Sequence, residues 1–270
     1  MGEQDLVERL LGWFAHHRRD LPWRREPRDP YRVWLAEVML QQTQVATVIP
    51  YYERWLARFP TLEALAAAPL DEVLKLWEGL GYYARARHFH AAARAVVSAH
   101  GGRVPQTVPA LLALPGVGRY TAGAVASLAF NADAPVLDGN VKRVLSRIYG
   151  LRTPRDAALW QLAEALLPSG RAGAFNEALM DLGSLVCLPR APRCALCPLR
   201  ERCVAFASGD PEAFPGRTAK KTLPHHRVLS AVIVDPDGRV LLGQRPLGGL
   251  LGGLWAVSYT HLTLPTIYSV

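Results

Sequence analysis

All four cysteines of the 270-residue chain fall in one short stretch, Cys187-x6-Cys194-x2-Cys197-x5-Cys203. Four thiolates this close in sequence can wrap one cubane of iron and sulfide, and the same donors would serve a zinc ion. Zinc knuckles usually offer two Cys-x2-Cys pairs. Only one pair is present here, which favours a [4Fe–4S] cluster. A secreted disulfide framework would spread its cysteines to staple distant segments. The loop between the first two thiols carries Pro189, Arg190, Pro192 and Arg193. A rigid loop with two arginines suits a phosphate contact, although a solvated loop would look the same.

Two carboxylates stand out next. Glu37 sits inside Val33-Trp-Leu-Ala-Glu-Val-Met-Leu, a nearly all-apolar stretch. It either marks one solvated stripe or is walled by Trp34, Val38 and Leu40, which would raise its pKa and keep it protonated near neutral pH. Asp138, in Pro135-Val-Leu-Asp-Gly-Asn-Val-Lys-Arg-Val, is well placed to cap a helix over Val141–Arg147. One acid held neutral and one carboxylate held ionised suit cleavage of an N-glycosidic bond. The first protonates the leaving base and the second faces the cationic sugar. At ~4 Å and an effective dielectric of about 20, that attraction is on the order of 4 kcal/mol, or about a thousandfold in rate. Leu114-Pro-Gly-Val-Gly-Arg-Tyr-Thr-Ala lies between two helical stretches. Gly116 and Gly118 there permit positive φ and can expose backbone N–H groups to a phosphate beside a helix N-terminus. A lone Gly-x-Gly is usually only a turn. With its flanks this one matches a helix-hairpin-helix, which holds DNA backbone without reading sequence.

These groups need a scaffold. Lys plus Arg number 31 against 23 Asp plus Glu, a net charge of +8 that favours a polyanionic partner. No run of 18 apolar residues exists, so no membrane span is expected. Met1–Asp20 lacks a signal-peptide core, which places the chain in the cytoplasm, associated with the nucleoid. From Gln4 to about Ala207 apolar residues recur at helical spacing, as in Val33, Trp34, Val38, Val45, Ile49 and Tyr52. Prolines and glycines cut the stretch into roughly ten or more short helices. Residues 208–226 read as a linker. After it Arg227–Asp235 alternates, Asp235-Pro-Asp-Gly reads as a turn and Arg239–Leu242 resumes, which predicts a β-hairpin. The remaining residues are too few for a two-layer core. Residues 258–270 match nothing before them and read as a non-native tail.

Taken together, these segments resemble adenine DNA glycosylases of the MutY type, within the helix-hairpin-helix glycosylase superfamily. The likeness covers about residues 1–257. It rests on Leu21-Pro-Trp-Arg, Glu37-Val-Met-Leu-Gln-Gln-Thr-Gln-Val, Gly79-Leu-Gly-Tyr-Tyr-Ala-Arg-Ala-Arg, Leu114-Pro-Gly-Val-Gly, Leu137-Asp-Gly-Asn-Val-Lys-Arg-Val and the cysteine loop. The resemblance implies a mainly α, two-lobed glycosylase fold over 1–207 with a [4Fe–4S] cluster on Cys187, Cys194, Cys197 and Cys203. It also implies an incomplete Nudix-like α/β domain over 227–257. The implied activity is base-excision repair: hydrolysis of the N-glycosidic bond of adenine mispaired with 8-oxoguanine or guanine in double-stranded DNA, by a monomer.

The roles it implies are specific. Glu37 would protonate N7 of the extruded adenine and position water. Asp138 would stabilise the oxocarbenium ion or form a transient adduct with C1′, oriented by Asn140. Tyr120 would lie against the reacting nucleotide. Leu21, Trp23, Arg24 and Glu177 would line the adenine pocket. Gln42 and Tyr82 would wedge into the duplex, at a cost of a few kcal/mol for extrusion that phosphate contacts such as those of Gly116 and Gly118 help offset. Composition alone would read Trp23 as core, Gln42 as a solvated helix residue, Tyr82 as a buried aromatic and Glu177 as a surface charge. Glycosylase-lyases of the endonuclease III type carry Lys where this chain has Tyr120, and Tyr cannot form an imine. Base removal without lyase action is therefore expected. The rival readings are an endonuclease III-like enzyme for oxidised pyrimidines and a non-catalytic iron–sulfur DNA-binding protein. With only the first hairpin and Leu250–Ala256 of the Nudix-like domain present, weaker discrimination of 8-oxoguanine from guanine is expected. Lower solubility from the exposed apolar hairpin is expected as well.

Overall fold

Where the helices begin and end follows from local chemistry. The computed structural model describes residues 2–216, 230–247 and 252–259. Its helices are α1 (Glu3–His17), α2 (Pro30–Leu40), α3 (Val45–Arg58), α4 (Leu62–Ala67), α5 (Leu70–Trp77), α6 (Ala84–His100), α7 (Val108–Leu112), α8 (Arg119–Phe130), α9 (Gly139–Ile148), α10 (Asp156–Ala165), α11 (Ala172–Leu185) and α12 (Val204–Ala207). α2 starts where Asp29 accepts from the amides of Tyr31 and Arg32 and Pro30 presets the first turn. α9 starts where the Asp138 side chain accepts from the Val141 amide. The sequence expectation of a capped helix there holds, with the helix reaching one residue further, to Ile148.

The helices form two lobes, each with its own apolar core. The first centres on the fully buried rings of Trp34, Trp55, Trp77, Tyr52, Phe59 and Phe89. Several meet edge to face, such as Trp55 on Trp77 at 5.5 Å between centroids. The second gathers Leu10 and Phe14 of α1, Val144 and Leu145 of α9, and Phe175 and Leu179 of α11. Two helices serve both. α8 gives Ala122, Val125 and Ala126 to the first core and Ala124 and Leu128 to the second. α2 gives Trp34 and Leu35 to the first and Val33 to the second. α2 packs on α8, so the seam between the lobes is built from these two helices.

Two glycines are required by close approach. A Cβ on Gly183 of α11 would lie 2.6 Å from the Cβ of Asn140, so glycine lets α11 pass under the start of α9. Gly116 has φ +71, and a Cβ there would meet the Cβ of His88 at 2.4 Å. Of the two hairpin glycines only Gly116 uses the left-handed region. Gly118 is extended, with φ −92, and serves as the N-cap of α8.

Beyond α12 the chain does not leave the helical body at once. Phe214 is buried, the Gly216 amide donates to the Arg152 carbonyl at 2.6 Å, and Arg147 Nε donates to the Phe214 carbonyl at 3.0 Å. Residues 217–226 of the expected linker, 227–229 at the start of the expected hairpin and the tail from 260 onward lie outside the described residues. The β-hairpin forms as expected: Asp235–Gly238 makes the turn, Leu241 N donates to Ile233 O at 2.9 Å, and Val234 bridges Val240. Four short strands, β1 (Ser230–Ala231), β2 (Gly243–Gln244), β3 (Trp255–Ala256) and β4 (Ser258–Tyr259), pair antiparallel as β1 with β4 and β2 with β3. Ile233, Val234, Leu241 and Leu242 stay exposed on this hairpin. No helix among the described residues is long and apolar enough to cross a membrane.

Because the Asp29 carboxylate satisfies two orphan amides of α2, Asp29→Ala is expected to destabilise the protein by about 1 kcal/mol. Thermal denaturation should show a midpoint lowered by about 2–4 °C. An unchanged midpoint would mean that the cap contributes nothing.

Candidate active site

Glu37 is on the last full turn of α2 and only 4% exposed. It meets Tyr120 of α8 across the seam: the Tyr120 hydroxyl donates to Glu37 Oε2 at 2.6 Å. Burial, foremost, pushes the Glu37 carboxyl up to about 7, with the negative charges of Asp138 and Glu177 adding to it. The Tyr120 bond and the Arg24 charge pull the other way. The raised value leaves a substantial protonated fraction near neutral pH, and a solvated stripe does not fit a side chain only 4% exposed. Tyr120 is itself raised well above its ordinary value, by burial first and by the Glu37 charge next, and so acts as a donor.

Asp138 faces the same cleft. Glu37, Tyr120, Asp138 and Asn140 all line a depression of ≈ 870 Å³, with Gly116 and Gly118 at one part of its wall and Gln42 at another. Asp138 uses one oxygen, at 2.7 Å from the Val141 amide, to cap α9 and the other, at 3.0 Å, to accept from Asn140 Nδ2. The capping role and a chemical role are thus compatible, because the cap fixes the carboxylate in place. Lys142, the lysine nearest in sequence, is held outside the cleft by an ion pair with Asp156 at 2.7 Å.

Two arginines that the sequence did not single out extend this network. Arg143 Nη2 donates to Asn140 Oδ1 at 2.8 Å and to the Gly183 carbonyl at 2.7 Å, while its Nε donates to the Cys187 carbonyl at 2.7 Å. Asp138, Asn140, Arg143 and the first cysteine are therefore joined by consecutive hydrogen bonds. Arg147 donates to the carbonyls of Leu188 at 2.6 Å and Pro189 at 3.2 Å, and to Cys187 Sγ at 3.3 Å. Arg143 sits within the Val-Lys-Arg-Val segment and Arg147 one turn further along α9, where an arginine on a helix face gives no sign of a distant carbonyl partner.

No disulfide joins the four cysteines, each of which is partly buried. Cys187 and Cys197 pack against the second core. Burial first, and then the neighbouring thiols of Cys187, Cys203 and Cys194, push the Cys197 thiol up to about 12, so the four groups are near enough to feel one another. Gathering four such groups without a cation is unfavourable, and iron would reverse the balance. Among the described residues no three His, Cys, Asp or Glu side chains form a site for a single metal ion. Arg190 and Arg193 of the loop are exposed.

The remaining expected residues divide. Gln42 is exposed beside the cleft, and Tyr82 is 61% exposed, not the buried aromatic that composition alone would suggest. Leu21 and Trp23 are buried in the first core, Trp23 edge-on to Tyr52 at 5.3 Å. Arg24 and Glu177 are buried as well, and Glu177 is no surface charge. Arg24 Nε pairs with Glu177 at 3.1 Å and its Nη1 with Asp181 at 2.6 Å, while Arg28 pairs with Glu177 at 2.9 Å. Glu177 opens instead on a second cavity of ≈ 520 Å³ with Arg18 and Arg28. These four residues do not line the cleft that holds Glu37.

The raised carboxyl has a consequence for stability. The ordinary pKa of Glu37 is 4.5 and burial takes it to about 7 in the folded protein. Between these values the folded state holds a proton that the unfolded state has released, so stability is full below the lower value and is lost as pH rises through the upper. At 1.36 kcal/mol per unit the difference is about 3 kcal/mol. Glu37→Gln removes the titration. Denaturant unfolding at several pH values is expected to show the parent losing about 3 kcal/mol relative to the variant between pH 4.5 and pH 8. A difference that does not change with pH would contradict the buried acid.

Comparison with known proteins agrees with this geometry. Residues 35–169 match the HhH-GPD superfamily base excision DNA repair protein family. The chain is 41% identical over 301 residues to the adenine DNA glycosylase of Rattus norvegicus, covering 91% of this chain and 58% of that one. It is 45% identical over 229 residues to the adenine DNA glycosylase of Mycolicibacterium smegmatis, covering 84% and 78%. The chain thus spans just over half the length of the mammalian relative. Among solved structures, a thermostable thymine-DNA glycosylase is 35% identical with a TM-score of 0.71, over 76% of this chain and 97% of that one. An endonuclease III in a non-covalent complex with DNA shares the fold at 24% identity and a TM-score of 0.66. With the seam, the hairpin and these matches in place, the chain belongs to the HhH-GPD superfamily of base excision DNA repair proteins and, within it, to the adenine DNA glycosylases.

Proposed function

We propose that this chain removes adenine mispaired with 8-oxoguanine or guanine from double-stranded DNA by hydrolysing the N-glycosidic bond. One observation carries the proposal: a buried Glu37, its carboxyl pushed up to about 7 and hydrogen-bonded by Tyr120, lines the same cleft as a fixed Asp138. Glu37 gives its proton to N7 of the extruded base, and the electron pair of the C1′–N9 bond leaves with adenine. Asp138 meets the positive charge at C1′, by field or by a transient bond. A water oxygen then joins C1′, any Asp138–C1′ bond breaking with its electron pair returning to the carboxylate, and a proton of the water returns to Glu37. Asn140 holds Asp138 in the orientation this requires. The electrostatic part is worth on the order of 4 kcal/mol if the carboxylate lies ~4 Å from the sugar cation.

The absence of an amine among the cleft-lining residues supports hydrolysis over lyase action. The amides around Gly116 and Gly118, at the cleft wall, suit a DNA phosphate. Cys187, Cys194, Cys197 and Cys203 suit a [4Fe–4S] cluster: an all-thiol set gathered on one loop and tied to α9 by Arg143 and Arg147. When bound, the cluster would staple residues 187–203 and so steady Arg143 and, through Asn140, Asp138. The hairpin and strands over 230–259 fit the start of a Nudix-like domain that would face the opposite base.

Single-turnover assays on duplexes carrying A opposite 8-oxoguanine, A opposite G, A opposite T and T opposite G test the proposal. Free adenine from the first two alone is expected, and Glu37→Gln should lose at least about a hundredfold in rate with duplex binding retained. Thymine released from the last duplex, or a borohydride-trapped adduct, would overturn it in favour of a relative with different chemistry. For the cofactor, protein purified without oxygen should show a broad visible absorption band that Cys197→Ser abolishes. A colourless parent carrying zinc would reject the cluster.

A further inference from the structure

Arg85 of α6 is 9% exposed and has no carboxylate partner among the described residues. Its charge is met by backbone instead. Nη1 donates to the carbonyls of Val38 at 3.1 Å, Met39 at 2.8 Å and Gln41 at 2.5 Å. Nη2 donates to Leu80 O at 3.1 Å, Gly81 O at 3.2 Å and Thr43 Oγ1 at 3.3 Å. The guanidinium lies over the ring of Trp77 at 5.2 Å and that of Tyr82 at 5.6 Å. One buried fork therefore closes the carbonyl end of α2 and holds the loop that opens α6.

The two loops it joins have a common peculiarity. The residue just after the first set of carbonyls is Gln42, with φ +58, and the residue just after the second is Tyr82, with φ +46. Left-handed backbone at a non-glycine residue is costly and persists where the surroundings over-determine it. Both side chains are exposed. We propose that Arg85 is a positioning residue that locks the Gln42 and Tyr82 loops into one rigid wedge, which enters the duplex beside the extruded base. The proposal rests on the reading that Gln42 and Tyr82 enter DNA, and adds what sets their geometry. A lysine could not replace the fork, because a single ammonium cannot span both sets of carbonyls.

The wedge matters most where the extruded adenine must be parted from a base paired with it. The test compares adenine opposite 8-oxoguanine with adenine opposite a tetrahydrofuran abasic analogue, in single-turnover excision. Arg85→Lys is expected to slow the first by about tenfold or more and the second by less than about threefold. In a Tyr82→Ala background Arg85→Lys should cost clearly less on the first duplex than it does in the parent. A loss equal on both duplexes, as from general destabilisation, or an additive loss in the double variant, overturns the clamp. If Gln42→Ala and Tyr82→Ala both excise at the parent rate, the wedge reading itself fails, and the clamp with it. If those two lose activity while Arg85→Lys does not, only the clamp fails. Should Arg85→Lys not fold, Thr43→Val removes one outer contact and is expected to show the same split in smaller degree; no split there also overturns the clamp.

Discussion

A single hydrogen bond, from the Tyr120 hydroxyl to Glu37, governs the architecture of the site. It spans the seam between two cores and exists only because α2 and α8 pack on each other there. Taking a carboxyl out of water disfavours its charged form, so its proton is held to higher pH, while the Tyr120 hydroxyl supplies a donor that partly offsets the shift. Tyr is well suited as that donor. Its own burial keeps it protonated, so the pair holds one hydrogen bond without a second ionisation nearby. The same burial that destabilises the ionised state is what suits the group to give a proton away.

Around this buried pair the molecule is tied together by arginines bound to backbone carbonyls and buried acids. Arg85 closes the carbonyl end of the helix that carries Glu37. Arg143 and Arg147 tie α9, whose N-cap is Asp138, to the cysteine loop. Arg24 bridges Glu177 and Asp181, both buried on α11. A guanidinium can serve several carbonyls at fixed angles, so each of these residues joins two or more segments far apart in sequence. The positive charge that the composition attributes to a polyanionic partner is thus divided: part of it is used inside.

What could be read from the residues alone was local. Helical spacing and breakers indicated many short helices, the apolar run around Glu37 left burial and a solvated stripe both open, and an Asp before a helix foretold the cap. The Asp-Pro-Asp-Gly turn located the hairpin. What could not be read was long-range and polar. Nothing near Arg85 or Arg143 announces a carbonyl forty residues away. Gln42 and Tyr82 take left-handed backbone through their tertiary setting, against their own preference. Gly116 and Gly118 looked equivalent, yet only the first meets a neighbour, His88, that forbids a side chain. Arg24 and Glu177 were expected on the wall of the base pocket through resemblance; they are buried in a cluster of ion pairs with Asp181 and Arg28, of which the residues alone showed no sign.

The most direct test of the central claim is titration of the Glu37 carboxyl itself. Carbon-13 NMR of side-chain-labelled glutamate, with Glu37→Gln to assign the resonance, would follow one carboxyl from pH 4 to pH 9. A midpoint near 7, about two and a half units above the ordinary 4.5, is the result the buried pair requires. A midpoint near 4.5 would leave an ionised carboxylate in the cleft at neutral pH, with no proton to give.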